Sequence, residues 1–112
     1  MKEWSTLLDK LIEKNGKKHM VHLSLNMECI EGLRGVSTNC LSGGISTEDA
    51  VEMVFEASYR LGKEGILGSI DITEYNPYVE DQTTGRYVAT LFYYIALGLS
   101  KALSEIGETK TE

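Results

Sequence analysis

The feature that most constrains this chain is a strong helical segment set between two short apolar runs. "MVHLSLN" (residues 20–26) and "ILGSIDI" (residues 66–72) lack any helical acid–base pattern and read as strands. Between them, "STEDAVEMVFEASYRLGKEG" has the marks of a helix. Ser46 or Thr47 can cap its start, and Glu48 and Asp49 sit in the first turn, against the positive end of the helix dipole. Val51, Val54, Phe55, Ser58 and Leu61 form the stripe expected to be buried, and Gly62 or Gly65 ends the segment. A strand, a helix and a second strand predict parallel pairing with a right-handed crossover.

Helices flank this unit. "EWSTLLDKLIEKNG" places Trp4, Leu7, Leu8, Leu11 and Ile12 at amphipathic spacing, and Asn15-Gly16 stops it. A last helix is predicted from Thr84 to Ser104, apolar nearly all round and therefore expected to be largely covered. Its longest nearly unbroken apolar stretch, residues 87–99, falls short of the ~18 residues a bilayer span requires. The segment from 27 to 44, with Gly at 32, 35, 43 and 44, has no sustained period and reads as a long loop, a usual place for function. The resulting division is a leading helix (1–16), a βαβα core (17–105) and a flexible tail (106–112). Gly68, inside the second strand, predicts a close approach by a neighbour.

With 112 residues the chain accommodates one small domain, and 42% hydrophobic residues exclude a disordered tail. A net charge of -6 argues against nucleic acid and anionic membrane as partners. The start "MKEWSTLLDK" has no apolar signal region. Cys29 and Cys40 read as free thiols of a reducing, cytoplasmic compartment, or as a disulfide closing a 12-residue loop. Two nearly continuous apolar strands make a poor sheet alone and call for cover on both faces, so the domain is expected to recruit further strands of its own, to pair with another chain, or to be a piece of a larger protein.

In parallel sheets, ligands gather beyond the carboxyl ends of the strands. Asn26 and Glu28 follow the first strand, and Asp71 and Glu74 close the second, so adjacent parallel strands would bring them to one rim. Asp71, within an apolar strand, is expected to accept hydrogen bonds from loop amides. Tyr87, Tyr93 and Tyr94 are expected to serve packing. His19 and His22 would face opposite ways and form no ligand pair.

From about residue 17 to 103 the sequence resembles the C-terminal third of the ureohydrolases, the family of arginase, agmatinase and formiminoglutamase. "VHLSLNMECIEG" resembles the strand ending in their Asp-x-Asp metal pair, and "LSGGISTEDAVEM" their Gly-Gly turn. "GSIDITEYNP" resembles the strand whose terminal Glu meets the substrate, and "TTGRYVATLFYYIALGL" the closing helix. The resemblance implies a three-layer α/β/α fold and a manganese-dependent hydrolysis of a guanidino or formimino C–N bond. It also implies oligomers, of like chains or with a full-length relative. It makes Glu74 the substrate contact and places Asn26 and Glu28 at metal-ligand positions. The chain departs from the family pattern there, with Asn26 and Glu28 for two Asp, Glu31-Gly32 for Asp-Pro, and "STNC" for a Thr-Gly-Thr-Pro-like run. The family's Asp-x-His-x-Asp segment has no counterpart in residues 1–19. The expectation is thus a chain without catalytic residues of its own, inactive alone, with doubtful manganese binding. The alternative expectation is a non-catalytic subunit docking to a full-length relative.

Overall fold

In a computed structural model, the residues described are 2–16, 18–27, 30, 45–73 and 82–111. They form α1 (Lys2–Asn15), β1 (Val21–Asn26), α2 (Thr47–Lys63), β2 (Leu67–Thr73) and α3 (Gln82–Thr111). Each boundary has a local cause. Gly16 takes φ 55° after α1, a conformation that costs a residue with Cβ more. Ser46 caps α2, its hydroxyl accepting from the Asp49 backbone N–H at 3.1 Å. Gly65, at φ 72°, turns the chain from α2 towards β2.

β1 and β2 pair in parallel, with Leu23 opposite Ile70, Ser24 opposite Asp71, Leu25 opposite Ile72 and Asn26 opposite Thr73. A register irregularity lies between Val21 and His22. Near it Gly68 does meet a close neighbour, since a Cβ there would come within 2.9 Å of Met20 Cβ.

The strands are less apolar than their composition suggests. Val21, Leu23, Leu25, Ile70 and Ile72 pack towards the helices, while His22, Ser24 and Ser69 stand exposed on the other face. This alternation is the signature of a half-covered strand. It corrects the expectation of near-continuous apolar strands. Among the described residues, helices cover one face only, so two of the three expected layers are present.

The core has two parts. Met27, Ile30, Ala50, Val54, Leu91 and Ile95 join α2, α3 and the strand ends. Leu8, Ala57, Leu61 and Ile66 join α1, α2 and the start of β2. In α2 the buried residues are Ala50, Val54, Ala57, Ser58 and Leu61, while Val51 and Phe55 are half-buried. Helix α1 is held to α2 by polar contacts as well. Trp4 Nε1 donates to the Met53 carbonyl at 3.1 Å, and Arg60 Nη1 donates to the Ser5 carbonyl at 3.0 Å while Nη2 pairs with Asp9.

Helices α2 and α3 approach closely at Gly98, where a Cβ would lie 2.6 Å from the Phe55 carbonyl oxygen and 3.0 Å from the Tyr59 nitrogen. Further along, Glu105 accepts from the Tyr59 hydroxyl at 2.5 Å and pairs with Lys63 at 3.1 Å. These two donors hold the Glu105 carboxyl below its ordinary pKa, hydroxyl first.

Helix α3 differs from its expected form in length and cover. It continues through residues 106–111, set aside above as a tail. Its 30 residues make a rod of about 45 Å at 1.5 Å each. The stretch Gly85–Gly107, mean hydropathy 1.2, meets by length and composition the requirement for crossing a membrane, which the 13-residue stretch alone does not. Leu91, Ile95 and Ala102 are buried, yet Phe92, Tyr93, Leu97 and Leu103 are exposed, so the helix is not largely covered. The radius of gyration is 15.3 Å, against about 13 Å for a compact globule of this length. The described residues form an elongated body in which one sheet face and one face of α3 carry exposed side chains.

Candidate functional site

The carboxyl ends of β1 and β2 define the candidate site. Parallel pairing in register sets Asn26 level with Thr73, so the residues after both strands leave from the same end of the sheet. Of the predicted site residues, Asn26 is described, half-buried at the end of β1. Glu28 and Glu74 lie outside the described residues, as do Cys29 and Cys40. The single residue between Asn26 and Glu28, Met27, is fully buried and fixes the chain as it leaves the strand.

Two residues back from the rim, the open face carries a polar network linking the strands. Ser24 Oγ donates to Asp71 Oδ1 at 2.6 Å, and His22 Nε2 lies 2.9 Å from Asp71 Oδ2. His22 Nδ1 in turn lies 2.5 Å from Ser69 Oγ. The Ser24 hydroxyl holds the Asp71 carboxyl below its ordinary pKa, against an opposing cost of burial, with His22 adding a lesser downward pull. An ionised Asp71 can only accept, so Nε2 carries the proton donated to it. In a neutral imidazole that leaves Nδ1 to accept from the Ser69 hydroxyl. Asp71 is therefore a structural acceptor as expected, but its partners are strand side chains rather than loop amides. The alternation of His22 and Ser24 with Leu23 and Leu25 was the signal for this network.

Tyr87 bridges the other side. Its hydroxyl donates to the Thr47 carbonyl at 2.7 Å, and burial pushes its pKa up to about 12. Tyr94 meets Phe55 edge-on at 6.4 Å and Tyr93 at 5.6 Å, in keeping with a packing role.

Among the described residues, no three His, Cys, Asp or Glu side chains converge as metal ligands would. The amide of Asn26 is neutral, and hard divalent ions prefer charged carboxylate oxygens. The described donor set therefore does not fit a dinuclear metal centre.

Comparison with known proteins places this geometry in a class. No protein-family model matches the chain. It is 36% identical over 87 residues to an arginase of Entamoeba histolytica, a match covering 72% of this chain and 28% of that protein. Superposed on the crystal structure of E. histolytica arginase in complex with L-ornithine, it gives a TM-score of 0.67 at 29% identity, over 82% of this chain and 30% of that one. The structure of Trypanosoma cruzi formiminoglutamase with manganese gives 0.63 at 25% identity, over 82% and 31%. Bacillus subtilis arginase, at 23% identity and a TM-score of 0.64, supports the fold alone. The architecture is arginase-like α/β. More narrowly, the chain is similar to a segment of arginase and of formiminoglutamase, and it spans somewhat under a third of the length of these relatives.

Proposed function

We propose that this chain supplies the C-terminal part of a ureohydrolase catalytic domain. Its role there is to present the carboxyl-end rim of two parallel strands to a guanidino or formimino substrate. The observation that carries this reading is the register, which sets Asn26 opposite Thr73, one residue before Glu74. Glu74 is the carboxylate for the planar cation of the substrate, through charge-assisted hydrogen bonds. Asn26 and Glu28 occupy the positions from which the family holds manganese. The solved formiminoglutamase relative contains manganese, and the solved arginase relative is in complex with L-ornithine. The parent reaction is hydrolysis of a C–N bond in a linear guanidino or formimino compound. The chain alone is inactive on this reading, because Asn26 brings no charge to a cation. Its compartment is the cytoplasm.

Calorimetric titration of the purified chain with manganese tests the reading. The expected result is no tight binding, with no urea or formamide released from arginine, agmatine or formiminoglutamate. Tight binding at two sites would overturn the inactive assignment.

A second reading, a non-catalytic subunit docking to a full-length relative, draws on the exposure of Phe92, Tyr93, Leu97 and Leu103 along α3. Light scattering in the presence of such a relative distinguishes it: a stable mixed complex supports docking, and two separate species rule it out.

A further inference from the structure

A groove runs between α2 and α3 on the side of the helices turned away from the sheet. Its volume is about 390 Å³, and among the described residues Val51, Glu52, Phe55, Glu56, Tyr59 and Tyr94 line it. The sequence of α2 places these side chains. Ala50, Val54, Ala57 and Leu61 form the buried row that packs towards the strands. Val51, Phe55 and Tyr59 recur every fourth residue beside that row, and Glu52 and Glu56 follow one position later, so both sets run along the outer side of the helix. Tyr94 closes the groove from α3, about 18 Å along that helix from its start at Gln82. Its ring meets Phe55 edge-on, at 6.4 Å and 82°. The walls are helical, so a strand added to the sheet, or a layer on the other face of the sheet, lies across the helices from the groove.

From this juxtaposition we infer that the α2–α3 groove binds a small organic cation with an apolar body, of the aryl-alkyl ammonium class. Size, lining and charge select this occupant. The volume falls within the ~300–1,000 Å³ of small-molecule sites. Phe55 and Tyr94 offer aromatic surface, which takes an apolar body by ring contact and an ammonium group by cation–π attraction. The Tyr59 ring at the far end already does the latter with cations of the chain itself, Lys101 Nζ at 4.5 Å and Lys63 Nζ at 5.7 Å from its centroid. Among the described residues, the charged groups lining the groove are Glu52 and Glu56. They stand four residues apart on one helix face, where like charges repel and a cation between them is favoured. The neighbouring cations of the chain have other engagements: Arg60 reaches Glu56 only at 3.8 Å and pairs with Asp9, and Lys63 pairs with Glu105. Lys101 stands about 10 Å along α3 beyond Tyr94. The inference needs no metal and no hydrolysis, so it stands or falls apart from the proposed reaction.

The probes are 2-phenylethylammonium and phenylacetate, similar in size and shape but opposite in charge, and methylammonium, which has the charge without the body. Each is titrated into the nitrogen-labelled full chain and followed by amide chemical shifts. The expected result is saturation by 2-phenylethylammonium within about 20 mM, with shifts centred on Glu52, Phe55, Glu56 and Tyr94. Phenylacetate and methylammonium should each bind at least about tenfold more weakly, since one lacks the ion pair and the other the apolar contact. Glu52→Gln together with Glu56→Gln keeps the side-chain shape and removes the charge. It should bring 2-phenylethylammonium and phenylacetate to equal affinity while far-ultraviolet circular dichroism stays that of the parent. If the double variant does not fold, Glu52→Gln alone, at an exposed position, should still narrow the ratio between the two probes. Equal binding of amine and acid by the parent, no saturable shift, or shifts centred elsewhere would overturn the inference. So would groove amides that move with protein concentration and not with amine, since a second copy would then fill the groove.

Discussion

Replacing Gly98 by Ala sets two opposing effects against each other, and the structure decides between them. In a helix interior, Gly→Ala gains about 1 kcal/mol from backbone entropy. At Gly98, however, the new Cβ would stand 2.6 Å from the Phe55 carbonyl oxygen, 3.0 Å from the Tyr59 nitrogen and 3.1 Å from Ser58 Cβ. Ordinary carbon–oxygen contacts lie at about 3.3–3.6 Å, so the helices would have to part by roughly 0.7 Å or more. Two of the three obstacles are backbone atoms of α2, which cannot rotate away as a side-chain tip can. Overpacking of this kind costs about 1–3 kcal/mol, and backbone obstacles place it at or beyond the upper end. The net expectation is a loss of about 2 kcal/mol, on the order of 10 °C in Tm for a domain of this size. Gly107 is the control: it lies in the same helix with nothing within 4 Å of its would-be Cβ. Gly107→Ala should be neutral or stabilising by up to about 1 kcal/mol, less where the helix end frays. Urea denaturation followed at 222 nm measures both. A Gly98→Ala protein as stable as the parent would refute the close α2–α3 approach.

Three further perturbations probe other parts of the structure. Asp71 has its folded pKa below its unfolded value, so the stability it contributes is complete above about pH 4 and is lost as pH falls through the lower folded value; Asp71→Asn should remove that limb from a plot of stability against pH between 5 and 2, and an unchanged limb would refute the network. Ser58 is fully buried and its hydroxyl has no hydrogen-bond partner among the described residues, so Ser58→Ala should be neutral or stabilising by up to about 1 kcal/mol in the same denaturation assay, and a clear loss would contradict it. The Tyr87 phenol should ionise near pH 12 rather than 10 in ultraviolet difference titration against Tyr87→Phe, provided the fold survives that pH by circular dichroism.

Much of the fold was legible because its signals are local. Ser46, Gly16 and Gly65 mark helix ends by side-chain chemistry and by tolerance of positive φ, and they act where the sequence places them. The βαβ order carried the parallel pairing, and Gly68 announced its close neighbour. What was not legible depends on cover, a non-local property. The apolar content of α3 predicted burial, but a helix is buried only where something packs on it. The arginase-like segment supplies α2 on one side and leaves Phe92 and Leu103 open. Likewise, the composition of the strands hid their alternation, because Leu and Ile outnumber the His and Ser that define the open face. The Asp71 network needed the register: His22 and Ser69 stand 47 positions apart in the chain and meet only once the strands pair. At the rim, the sequence placed Asn26 at the end of the first strand, where it is found, while Glu28 and Glu74 lie outside the described residues.

The most direct test is a nitrogen-edited NOESY spectrum of the labelled chain, which reads strand direction without reference to any relative. Cross-strand contacts should join Leu23 to Ile70, Ser24 to Asp71 and Leu25 to Ile72, both numbers rising together. Contacts in which one number falls as the other rises, or none between these segments, would contradict a shared rim at the ends of β1 and β2.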